Sequence, residues 1–359
     1  MSACGQCTQN PLSCDPGLVR QCEDVTACCT CVTPTATPTD VPATPTVTAT
    51  PTLTGTPAVG VFAYVTDRRR AVVHVINTAT NAEVVALDLP SVAVDVAVST
   101  DGRRAYALGL QSAQIFVIDT VFNARLNTIS LDRVGSSIAV APAGDELYVT
   151  LRDTDELALI DPATGSVRAR IPVGDTPLDV ALTSDGAMAY VANTAATVSA
   201  VDVAARTVPA TIPIGDRPSA IAIAPNDGSV YVPASLNRLF VIDTATNSVS
   251  NTIQIDGVLS AVAVAPNGGL VYVANPTNKV ASVDPAAGSV TTTIAVGTYP
   301  AGIAFTPDGA FAYVGSGGVS PNEGSISVID IQTQTVTATI NFPGMATSPA
   351  SVGIANIRP

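Results

Sequence analysis

The sequence predicts an all-β chain: a seven-bladed β-propeller of four-stranded blades, its ring closed by the C-terminal strand. A Cys-rich N-terminal segment and an extended Thr/Pro-rich tail precede it. Three observations carry that prediction. Tyrosines in matching contexts stand at Tyr64, Tyr106, Tyr148, Tyr190, Tyr231, Tyr272 and Tyr313, in steps of 42, 42, 42, 41, 41 and 41 residues. A second series, Asn77, Asp119, Asp161, Asp202, Asp243, Asp284 and Asp330, keeps the same register until "GSGGVSPNEGS" lengthens its last interval. The third is the final apolar run, "ASVGIANI" at 350–357. Such a run precedes the tyrosine strand in every other copy, and the first copy lacks it.

Residues 1–32 form the first segment. All seven cysteines lie there, at Cys4, Cys7, Cys14, Cys22, Cys28, Cys29 and Cys31, and the rest of the chain has none. A short segment with few large apolar residues cannot build a core, and disulfides are the usual substitute, so all seven are disulfide candidates. Zinc is the competing reading, because Cys4 and Cys7 have C-x-x-C spacing and the later cysteines offer further ligands. The odd count leaves one thiol to stay free or to pair with another chain.

Residues 33–57 contain eleven threonines and six prolines. That composition reads as a mucin-like stalk carrying O-linked glycans; at about 3.1 Å per residue it spans on the order of 75 Å. Its register adds a second reading. In an extended chain Thr44, Thr46, Thr48, Thr50, Thr52, Thr54 and Thr56 share one face. Pro45, Pro51 and Pro57 fall at odd positions, so the missing N–H donors all lie along one edge. The other edge keeps its donors and suits pairing with an exposed strand.

Residues 58–359 carry the repeats, each read as four short strands. In the sixth copy these are "LVYVAN", "KVASVD", "SVTTTIAVG" and "AGIAFTP", joined by turns rich in Gly, Pro, Asn and Asp. Runs such as "SAIAIA" and "SAVAVA" are apolar on both faces and must be covered on both sides, as stacked blades do. The final strand should pair with the first tyrosine strand and leave no open edge.

The run "SDGAMAYVANTAATVSAVDVAARTVPATIPIG" at 184–215 resembles the YVTN-type β-propeller repeat, and the likeness extends over every copy. It implies the propeller fold and the bacterial and archaeal cell-surface setting in which such repeats recur. Related seven-bladed folds include lactonases and quinoprotein enzymes, so the fold does not select a function.

The net charge is −13, with a single lysine, Lys279, which argues against nucleic acid or an anionic membrane as partner. No apolar run approaches the roughly eighteen residues of a transmembrane segment, and no signal peptide is visible. The single histidine, His74, falls on an apolar strand and reads as packing; neither a Ser-His-Asp set nor a copper or iron cluster can be assembled without it. The repeated aspartates precede turn residues and read as turn caps. Across blades, Asp95, Ser137, Asp179, Ala220, Ala261, Gly302 and Ser351 align at the mouths of the innermost strands. Two acids in that small, neutral ring suffice for a cation but form no catalytic pair, and "DTDE", 153–156, reads as a solvated loop. No catalytic, cofactor-binding or metal-ligating residues are assigned. The chain is therefore expected to be a non-enzymatic extracellular protein, homo-oligomeric or homopolymeric through its tail. The alternatives are a monomeric stalked propeller that binds a protein or polysaccharide, and a lactonase-like enzyme.

Overall fold

The computed structural model describes residues 19–21, 30–32, 58–318, 324–342 and 349–358. The chain divides into two compact units, Met1–Thr44 and Pro45–Pro359. In the first, Val19–Gln21 pairs antiparallel with Thr30–Val32. Of the seven cysteines only Cys31 falls on a described residue, within that second strand; the tail threonines lie outside the described residues.

The second unit consists of seven four-stranded antiparallel sheets. In six of them the strands follow one another in chain order from the axis outward, as in Ala93–Val98, Arg104–Gly109, Gln114–Asp119 and Ala124–Ser130 of the second blade. The first blade is composite. Its innermost strand is Pro349–Ile357, which pairs antiparallel with Gly60–Asp67 from Ile357 opposite Gly60 to Pro349 opposite Asp67. The predicted closure by the end of the chain is thus present.

Burial explains the strand composition. The two middle strands of each blade are covered on both faces by neighbouring blades, and runs such as Leu147–Leu151 and Val271–Asn275 are buried throughout. The outer strands are exposed or half-buried except at one buried apolar anchor each: Leu87, Ile129, Ile171, Ile212, Ile253, Ile294 and Ile340. Full burial of such a side chain contributes about 1.5–3 kcal/mol.

The two repeated series that predict the fold have distinct mechanical roles. Each carboxylate or amide of the Asn77–Asp330 series accepts backbone N–H groups of the turn that follows it, as Asp161 Oδ1 does from Ala163 and Thr164 (2.8 and 3.1 Å). Three of the tyrosines reach from one blade to the next. Tyr64 Oη donates to Asn123 Oδ1 (2.5 Å), Tyr190 to Asn247 (2.9 Å) and Tyr313 to Asn81 (2.5 Å). Each of these asparagines has a positive φ, 49 to 52°, which asparagine tolerates better than most residues. At the matching position the seventh blade has Gln334, also at positive φ (53°). There both Tyr272 Oη and Gln334 Oε1 are buried with no hydrogen-bond partner among the described residues.

Candidate functional site

At one end of the axis the aligned positions converge. Asp95, Ser137, Asp179, Ala220, Ala261, Gly302 and Ser351 line a single cavity, with Arg68 at its rim. The innermost strands carry register shifts between Ala93 and Asp95, between Pro177 and Asp179, and between Pro300 and Gly302. Such bulges re-aim side chains, and here they direct the aligned positions toward the axis.

The two acids lace the blades together. Asp95, in the second blade, accepts Ser351 Oγ of the first blade at Oδ1 (2.6 Å), and Ser137 Oγ and Ile138 N of the third at Oδ2 (both 2.9 Å). Asp179, in the fourth blade, meets Ser137 Oγ at Oδ1 (2.7 Å) and accepts Ile221 N of the fifth at Oδ2 (2.9 Å). Each also accepts the following backbone N–H, from Val96 and Val180 (both 2.8 Å). These contacts occupy the carboxylate oxygens, so the acids act as inter-blade clamps. At the seam between the seventh and first blades there is no room for a side chain: a Cβ on Gly302 would collide with Ala350 O.

Ser137 imposes a protonation constraint. Its hydroxyl has one proton to donate and lies within hydrogen-bond distance of two carboxyl oxygens. Both contacts are hydrogen bonds when a carboxyl supplies the second proton. Burial, and then the charge of Asp95, push the Asp179 carboxyl up to about 6. In that form Asp179 donates to Ser137 and Ser137 donates to Asp95.

His74 is buried, as its strand position predicts, but it does more than fill space. Nδ1 lies 2.7 Å from Glu83 Oε1, Nε2 lies 3.5 Å from Asp67 Oδ2, and the ring packs 4.2 Å from that of Phe342 in the seventh blade. Asp67 Oδ1 in turn accepts Arg69 N and Arg70 N. The "DTDE" stretch is also engaged locally: Asp155 accepts Thr176 N (2.6 Å), and Glu156 pairs with Arg170 (3.1 Å). Among the described residues no group of three or more His, Cys, Asp or Glu is placed to hold a metal, and no helix is long and apolar enough to cross a membrane.

The outer strands differ from blade to blade. Those of the first three carry charge (Glu83 and Asp88, Arg125, and Arg168 and Arg170), and that of the fourth carries Pro209 and Pro213. Charge and proline are the usual protection of a free edge. The outer strands of the last three blades, Ser248–Gln254, Ser289–Ala295 and Thr335–Asn341, have neither.

No family model matches the chain, and no curated protein sequence matches it. Solved structures do match in fold. Hydrazine synthase of Kuenenia stuttgartiensis is 23% identical, with a TM-score of 0.54 over 60% of this chain and 68% of that one. A functionally unknown protein of Desulfotomaculum acetoxidans is 15% identical, with a TM-score of 0.70 over 83% of this chain and 99% of that one. Dihydro-heme d1 dehydrogenase NirN is 14% identical, with a TM-score of 0.62 over 82% and 75%. The chain is a seven-bladed β-propeller; these likenesses define its fold. They also correct one expectation. The reading of the chain as non-enzymatic rests on missing constellations of residues, and two of these structures are enzymes carried on the same fold. The missing constellations therefore do not exclude catalysis.

Proposed function

We propose that this is a YVTN-type propeller of the cell surface or extracellular space that self-associates through its N-terminal tail. The tail adds as an extra strand to an outer blade edge of a neighbouring copy, the N-terminal cysteines lock the contact through disulfides, and the tail threonines are the O-glycan sites. The observation that carries the reading is the run of three consecutive blades whose outer strands lack both charge and proline. An unprotected edge is a template for another chain. The tail supplies a complementary strand whose threonine edge keeps every N–H. A contact between the tail of one copy and the rim of the next is head-to-tail, and where it does not close into a ring it propagates as a fibre.

The test moves proline across the tail's register. Thr48→Pro/Thr50→Pro removes donors from the pairing edge, whereas Val47→Pro/Ala49→Pro removes them from the edge already interrupted. Strand addition predicts that the even-position variant loses assembly in sedimentation and negative-stain microscopy while the odd-position variant keeps it, with Thr→Ser variants controlling for glycan. Equal behaviour of the two proline variants would leave only a stalk.

A further inference from the structure

We infer that the mouth of the propeller channel binds an amphipathic organic anion, a carboxylate with an apolar body, between Arg68 and Arg152. A cavity of about 610 Å³ lies beside the channel opening, lined by residues of the first four blades. Its floor is apolar, with Val94, Leu110, Val134 and Leu178. Arg68, in the turn after Gly60–Asp67, and Arg152, in the turn after Leu147–Leu151, stand at its rim on different blades.

What distinguishes Arg68 and Arg152 from the other arginines without an ion pair is that both line this one cavity. In a chain of net charge −13, Arg104, Arg168, Arg170 and Arg238 are drawn into ion pairs. Arg68 and Arg152 are exposed and make neither an ion pair nor a side-chain hydrogen bond among the described residues. Two unneutralised guanidinium groups over one apolar floor present forked donors to a carboxylate and a desolvating surface to the chain attached to it. The lining contains one opposing acid, Asp153. The geometry also sets the ligand's direction. The cavity shares Arg68, Val94, Ser136 and Leu178 with the channel opening, where Asp95 and Asp179 repel a second anion. The charged head therefore stays at the rim and the apolar body lies along the floor. A cation is disfavoured, because the acids' oxygens already accept hydrogen bonds.

Calorimetric titration of the full chain with monomeric octanoate tests this site, with octyltrimethylammonium as a probe of equal tail and opposite charge. The expected result is saturable 1:1 binding of octanoate and none of the cation. Arg68→Gln and Arg152→Gln should each weaken it about tenfold, the loss of one charge-assisted contact. Arg133→Gln, an exposed arginine outside the cavity, should leave it unchanged. Both rim residues are exposed, so circular dichroism should show these variants folded. Absence of saturable octanoate binding, equal binding of the cation, or an unchanged affinity in either rim variant would overturn the proposal. None of these outcomes depends on the tail, so the site and the assembly reading can fail separately.

Discussion

Tyr272 and Tyr313 hold equivalent places in adjacent blades and differ in what their hydroxyls meet. Tyr313 Oη reaches Asn81 across the seam to the first blade, whereas Tyr272 Oη is buried beside a glutamine whose own oxygen has no partner among the described residues. Removing a satisfied buried hydroxyl costs about 1 kcal/mol, and removing an unsatisfied one costs nothing or stabilises. Tyr313→Phe should thus lower stability in urea titration by about 1 kcal/mol, whereas Tyr272→Phe should be neutral or stabilising. Gln334→Asn, which would introduce the Tyr–Asn pairing found at three other seams, should stabilise by about 1 kcal/mol. Asp179 gives a pH-dependent counterpart. Its carboxyl is raised from 3.8 to about 6 in the folded state, which therefore holds the proton more tightly than the unfolded chain. The resulting stabilisation is complete below about pH 4, declines as pH rises through 6, and amounts to about 3 kcal/mol. Urea titrations at pH 4.5 and 7 should show the wild type losing more stability with rising pH than Asp179→Asn does.

The outer strands yield a prediction at the scale of the element. Thr252, Thr293 and Thr339 are exposed, and each directly precedes the buried isoleucine of an unprotected edge. Thr252→Lys/Thr293→Lys/Thr339→Lys would give these edges the charge that the first three blades already carry. The triple variant should stay monomeric by sedimentation, with each substitution changing stability by no more than about 0.5 kcal/mol. The strands themselves were readable in the sequence, because each recurs in the same context at one period and a buried middle strand needs apolar residues on both faces. The aspartate turns were readable for the same reason: an Asp followed by turn residues has a local partner. The clamps were only partly readable. The alignment brings Asp95, Ser137 and Asp179 to one level, but the bulges that aim them at each other have no signature of their own. The surroundings of His74 were not readable: Asp67 and Glu83 come from the strands on either side and Phe342 from the other end of the chain. Function as a whole is equally illegible, since one fold hosts enzymes and non-enzymes alike and the repeat encodes the fold.

For the whole molecule, closure is the decisive element. A chain ending at Pro349 loses Ala350, Val352, Ala355 and Ile357 from the core and exposes Gly60–Asp67 along its full length. That burial alone is worth on the order of 5 kcal/mol. The truncated protein should show a clearly lowered melting temperature and aggregate in light scattering; unchanged values would refute the clasp. The same clasp sets a timetable for synthesis. Strand Gly60–Asp67 emerges early, and its partner follows only after about 280 further residues, a wait of roughly 15 to 60 s at the usual pace of translation. Throughout that interval the nascent chain presents a bare, apolar strand, so the cell must either escort it or risk pairing it with the wrong neighbour.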